Sequence, residues 1–229
     1  MSSEWTALPL VYEDDALIVL DKPSGLLSVP GRGPDKTDCL SARVQAQYPQ
    51  ALVVHRLDMD TSGLIVMAKT PTAQRRLSES FAKRETHKRY IAVVWGQPIG
   101  AQTPAEWQTI DLPLVVDWPN RPKSKVCFEH GKPSITRWRI LRNAPGESQP
   151  WPGHSRLELE PVTGRSHQLR VHLLSLGHPI LGDPLYGKAL DGSDAVWRAA
   201  PRLLLHATTL SLPHPITGDA MTWTSPVPF

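Results

Sequence analysis

The chain has 229 residues, 40% of them apolar and 21% charged, and a net charge of +3. That is ordinary globular composition, long enough to bury a core as one large domain or two small lobes and too weakly basic to reveal a nucleic-acid partner by charge alone. No run approaches the ~18 apolar residues of a membrane span, no basic-then-apolar leader opens the chain, and Cys39 and Cys127 form no Cys-x-x-Cys pair. A reduced, cytoplasmic setting is the simplest expectation.

Residues 8–23, LPLVYEDDALIVLDKP, predict two strands joined by a turn at Glu13-Asp14-Asp15. CLSARVQAQYP (39–49) has helical spacing and stops before Pro49. VVHRLDMDTSGLIVMAK (53–69) reads as strand, polar loop and strand, with His, Arg and two Asp lodged between apolar stretches. In TPTAQRRLSESFAKRE (70–85) Thr70 is the expected N-cap and Pro71 opens the helix. RYIAVVWG (89–96) is a strong strand, and residues 97–125, rich in Pro and Trp, predict loops and short strands. Residues 134–142 and 155–162 form an expected strand pair around a turn at 143–153. TGRSHQLRVHLLSLGH (163–178) reads as a helix closed by Gly177, and 203–215 and 221–225 return to strands. Strands outnumber helices, and few helices lie between consecutive strands. The expected class is therefore α+β, with a largely antiparallel or mixed sheet flanked by helices and loops, in one domain.

The nine histidines do not make a metal site: His167, His172 and His178 are five and six residues apart, not the i, i+4 pairing of a helical zinc site. Walker, GxGxxG and GxSxG patterns are absent, so no nucleotide cofactor or serine hydrolase is indicated. Two basic clusters, KRETHKR (83–89) and RPKSK (121–125), suit phosphates, although a solvated basic face accounts for each as well. Asp58 follows Arg56 by two positions, which in a strand-like stretch puts both side chains on one face. Arg165 and Arg170 frame a helix start, where backbone N–H groups favour anions. A carboxylate beside an arginine stays charged and suits nucleophilic or basic work, yet spacing alone favours an ordinary structural ion pair.

Motif order changes that balance. HRLDMDTSGLIVMAK (55–69) resembles the catalytic motif of the RluA-type pseudouridine synthases. LIVLDKPSGLLSVPG (17–31), KRYIAVVWG (88–96), TGRSHQLRVHLLSLGHPILGDPLYG (163–187) and RLLLHATTLSLPHP (202–215) resemble that family's other motifs, in order. DLPLVVDWPNRPKSKVCFEHGKPSITRW (111–138) further resembles the branch that acts on both transfer RNA and large-subunit ribosomal RNA. The resemblance implies a catalytic cleft across the sheet of a single domain at residues 10–229, behind a tail at 1–9 and without the S4-type domain many relatives carry. It implies that Asp58 is the catalytic aspartate, that Tyr90 stacks on the target base, and that Arg170 pairs with Asp58. Arg56 beside the catalytic residue, with His55, Lys88, Arg89, Arg121, Lys123, Lys125, Arg165 and His167, would contact RNA. Asp60 departs from the small residue common there and is read either as structural or as supporting the residues that touch the substrate.

The implied reaction breaks the N1–C1′ bond of uridine, turns the base and rejoins it through C5. Nothing is oxidised and nothing leaves, so no cofactor or metal is expected. The uridine must leave its stack to be reached. The implied partners are ribosomal and transfer RNA stem-loops, with no membrane, and the protein is expected to be a monomer. The alternative is a non-catalytic RNA-binding or RNA-folding module on the same scaffold.

Overall fold

The computed structural model describes residues 9–33, 36–98, 106–141, 153–188 and 194–229. The expected turn at 143–153 falls, apart from Gly153, outside the described residues. The chain packs as two compact units. One holds the residues up to Lys88 together with Ala207–Pro228, and the other holds Arg89–His206 with Phe229.

In the first unit, Asp14 shapes the opening hairpin between β1 (Leu10–Glu13) and β2 (Leu17–Lys22). Its carboxylate accepts the N–H groups of Ala16 and Leu17 at 2.7 and 2.9 Å, as an Asp in a turn is suited to do. Helix α1 (Leu40–Gln47) follows, then β3 (Leu52–Val53) and β4 (Ser62–Ala68), which is buried along its whole length. β4 runs antiparallel to β2 and to β3. Helix α2 (Pro71–Lys83) starts where expected, with Thr70 Oγ1 accepting the Ala73 N–H at 3.1 Å. It buries Ala73, Leu77 and Ser80, one stripe at i, i+4, i+7, in a core shared with Leu64, Val66, Leu210 and Leu212. Two late strands complete the unit's sheet: β11 (Leu205–Pro213), which neighbours β4, and β12 (Ala220–Thr224), antiparallel to β11. Gly63 lets those backbones meet. Its φ is 111°, and a Cβ there would lie 2.6 Å from the Ala207 nitrogen and 2.8 Å from its carbonyl carbon.

In the second unit the strand order is β5-β10-β9-β6, where β5 is His87–Val94, β6 Gln108–Asp111, β9 Ile135–Ile140 and β10 Ser155–Pro161. β10 pairs antiparallel with β5 and β9, and β6 antiparallel with β9. β10 alternates strictly. Leu157 and Leu159 enter the core, while Arg156, Glu158 and Glu160 occupy the other face. Between β6 and β9 the Pro-rich stretch forms a separate hairpin, β7 (Leu114–Val116) and β8 (Ser124–Val126), around a short 3-10 turn at Trp118–Asn120. Helix α3 (Gln168–Ser175) closes at Gly177 with φ 81°, and a one-turn helix α4 (Ala195–Arg198) was not foreseen. The α+β architecture expected from the strand-rich sequence is the one adopted. No described helix is long and apolar enough to cross a membrane.

Candidate active site

Residues 54–61 form no strand, so the expectation that Arg56 and Asp58 share one strand face does not hold. Period-2 logic needs extended backbone, and here the chain bends through a turn closed by Thr61 N–H to Asp58 O at 3.2 Å. Arg56 is exposed, Leu57 is buried and Asp58 is half-buried.

What shapes this loop is the motif at 22–28. Lys22 is fully buried, and its ammonium donates to the carbonyls of Pro23, Leu26 and Met59 at 2.9, 2.7 and 2.9 Å. Gly25 N–H also reaches Met59 O at 2.9 Å. Ser24 Oγ donates to Asp60 O at 2.7 Å. Ser28 Oγ donates to Leu57 O at 2.7 Å and accepts from Leu57 N–H at 3.1 Å. The main chain on both sides of Asp58 is thereby tied to one neighbouring segment. Lysine is the residue type for that task, because its three donors can each take a different carbonyl. The sequence reading gave Lys22, Ser24 and Ser28 no role, although all three lie inside a motif it had singled out.

His55 sits at the root of the loop. Its Nε2 accepts the Val66 N–H at 3.1 Å and its ring stacks on Phe81 with centroids 4.6 Å apart. Burial, aided by the charge of Lys88, lowers its pKa from 6.5 to about 3, so the imidazole is neutral at physiological pH. Burial also lowers the Lys88 pKa, and the Lys88 ammonium lies 5.6 Å from the centre of the Phe81 ring.

In the second unit, Tyr90 and Arg89 leave β5 on opposite faces. Tyr90 stands across from Leu159 and packs against the core. Arg89 pairs with Glu160 at 2.7 Å and stacks over Trp107 at 4.5 Å. Arg137 and Arg139 also stack on Trp107, and they pair with Glu160 and Glu158 respectively. Arg89 is therefore already engaged by a carboxylate within its own unit.

The start of α3 is organised by Gln168. Its Oε1 accepts from Thr163 Oγ1 and Arg165 N–H at 2.7 and 3.0 Å, and its Nε2 donates to Ile135 O at 2.9 Å. These bonds tie the segment before the helix to β9, and the N-cap of the helix, His167, has φ 56° and makes no side-chain cap bond. Arg165 stays exposed. Arg170, 2% exposed, makes a bidentate pair with the equally buried Asp183: Nε to Oδ2 at 2.8 Å and Nη2 to Oδ1 at 2.7 Å. Asp183 Oδ1 also accepts the N–H groups of Leu185 and Tyr186 at 2.9 and 3.0 Å. The Tyr186 hydroxyl accepts the Ser124 N–H at 2.8 Å and bonds His167 Nδ1 at 2.8 Å. A continuous polar chain thus runs from Arg170 to the base of the β7–β8 hairpin. Asp183 and Tyr186 were missed, though their signal, an acid and an aromatic in LGDPLYG, lay in a quoted motif.

At the hairpin, Lys125 pairs with Asp117 at 3.1 Å, Arg121 stacks on Trp118 at 4.3 Å, and Lys123 is half-buried. Among the described residues no group of three or more His, Cys, Asp or Glu is placed to hold a metal ion.

Comparison of the chain and its fold with known proteins leads to one family of enzymes. Residues 16–175 match the family model for RNA pseudouridylate synthase, and the chain belongs to that family. It is 50% identical over 222 residues to the dual-specificity RNA pseudouridine synthase RluA of Escherichia coli K12, covering 97% of this chain and 94% of the relative. The RluA of Yersinia pestis is 49% identical over 212 residues, covering 93% and 95%. Among solved structures, human RNA pseudouridylate synthase domain containing 1 is similar with a TM-score of 0.77 and 27% identity, across 100% of this chain and 87% of that one. The protein is an RNA pseudouridine synthase, an isomerase whose partner is RNA.

Proposed function

We propose that this enzyme converts uridines in two kinds of hairpin, the anticodon arm of transfer RNA and stem-loops of large-subunit ribosomal RNA, with Asp58 as its catalytic carboxylate. The observation that carries the catalytic reading is the tethering of residues 57–60, whose carbonyls at Leu57, Met59 and Asp60 are all taken by donors from 22–28. A loop held that firmly can present one carboxylate in a fixed place, which is what attack on C1′ or C6, or removal of the C2′ proton, requires. The dual-specificity relatives support the choice of two RNAs.

In this reading the target uridine leaves its stack, and Tyr90 offers a ring to it. Base–aromatic stacking is worth about 1–3 kcal/mol. Arg170 acts as partner to Asp58, and Asp183 holds its guanidinium in place. Arg56, Arg165, His167 and the hairpin cations Arg121, Lys123 and Lys125 take the flanking RNA, with His55, Lys88 and Arg89 at its margin. We place the reaction in the cytoplasm, in a monomer.

The test is turnover of both isolated stem-loops, with pseudouridine mapping in cells lacking the protein. Both hairpins should be modified, and both sites should lose pseudouridine in the deleted strain. Modification of one hairpin alone defeats the two-substrate reading, and full activity of Asp58→Asn defeats the catalytic one.

A further inference from the structure

The tip of the β7–β8 hairpin holds an aromatic ring where burial would be the rule. Trp118 is 64% exposed, so its indole cannot have both faces covered. The Arg121 guanidinium lies over it at 4.3 Å. An exposed Trp forgoes a large hydrophobic gain, and such residues concentrate where a partner is bound.

The turn that presents this pair is held firmly. Asp117 N–H bonds Lys123 O at 2.8 Å, Lys123 N–H bonds Asn120 O at 3.0 Å, and Asn120 N–H bonds Asp117 O at 2.9 Å. The Asp117 carboxylate adds Asn120 Nδ2 at 2.8 Å and Lys125 Nζ at 3.1 Å. Below the turn, Tyr186 fixes Ser124, and Leu114 exchanges backbone bonds with Lys132 at 3.0 and 2.8 Å. The stacked pair is therefore ordered before anything binds, which lowers the entropy lost on binding.

We propose that Trp118 is a stacking platform for an unpaired nucleobase of the RNA, at a position other than the target uridine. A nucleotide presents a π-face and an anionic phosphate side by side. The tip offers an indole face with a guanidinium that keeps donors for phosphate while it stacks. Residues 117–132 carry four Lys and Arg against two acids, so the charge complements RNA. Protein–protein interface cores, by contrast, are depleted in lysine. The inference rests on the enzyme's acting on RNA and adds to the proposed substrate reading a base contact made by the hairpin tip.

The test uses the full chain and two oligomers of equal length, an oligouridylate and an abasic ribose-phosphate chain, besides the two stem-loops. Trp118→Ala should weaken oligouridylate binding ~5- to ~150-fold, the loss of one stacked base. Binding of the abasic chain should change less than ~2-fold, and Trp118→Phe should keep most of the affinity for oligouridylate. Equal losses on both oligomers would mean that Trp118 acts through charge or folding and would overturn the proposal. Unchanged oligouridylate binding would overturn it too, and a simultaneous change in sedimentation would assign the ring to protein docking instead. If the base-dependent loss appears while neither stem-loop is turned over, the substrate reading fails and the platform stands.

Discussion

Around Asp58 the ties run to main-chain carbonyls, with Lys22, Ser24 and Ser28 holding Leu57, Met59 and Asp60 from a segment adjacent in space. Around Arg170 they run between side chains, a buried guanidinium gripped through Nε and Nη2 by Asp183. Each of those ties takes a main-chain carbonyl, so the shape of the loop can be probed through Lys22, Ser24 and Ser28. At Arg170 the anchored group is the one proposed to act. There, removing the charge also removes the anchor and leaves Asp183 buried without its partner.

The sharpest form of this contrast is Asp58→Asn. The amide keeps the shape, so thermal stability and RNA affinity should stay within a few-fold of wild type. Single-turnover rates should fall by at least ~10²-fold, the lower edge of what a positioned acid–base group supplies. A large drop in melting temperature would show that the carboxylate helps to hold the loop after all.

Arg170→Met should behave oppositely, costing about 3–5 kcal/mol of stability as well as activity, because breaking a buried pair leaves one charge uncompensated. Urea unfolding measures it. Adding Asp183→Asn should restore part of the stability and none of the activity; restoration of both would make Arg170 purely structural.

Lys22→Met probes the main-chain ties. Leaving carbonyls at Pro23, Leu26 and Met59 short of a donor costs about 1–3 kcal/mol for each one that water cannot reach, offset by no longer burying an ammonium. The expected net result is a loss of about 2 kcal/mol, with kcat lowered several-fold while RNA affinity is kept. Equal kcat with weakened binding would contradict a positioning role.

The last effect concerns acid. His55 is held neutral in the folded protein down to about pH 3, whereas in the unfolded chain it protonates below its ordinary 6.5. The unfolded state therefore binds more protons between those values, and stability falls as pH falls, by at most ~1.4 kcal/mol per pH unit for this group. His172, whose pKa burial also lowers, adds to the slope. Denaturant melts across this range should show the decline, and His55→Gln should flatten it; an identical slope would place the acid sensitivity elsewhere.

Local pattern sufficed for the elements and for the family. The β1–β2 hairpin around Asp14, the Thr70 cap of α2, the closure of α3 at Gly177 and the antiparallel β9–β10 pair all follow from periodicity and capping, which act within a few residues of chain. The ordered motifs carried the resemblance that placed Asp58, Tyr90 and Arg170. Tertiary structure alone decided how those residues are held. Lys22 reaches Met59 across 37 positions, Arg170 meets Asp183 across 13, and Tyr186 reaches Ser124 across 62. It also decided that 54–61 bends instead of running as a strand, and that Arg89 turns to Glu160 on the face opposite Tyr90. Such bonds depend on where separate segments come to lie once the core is packed. A short-range pattern of apolar and polar residues carries no record of which distant donor will find which acceptor.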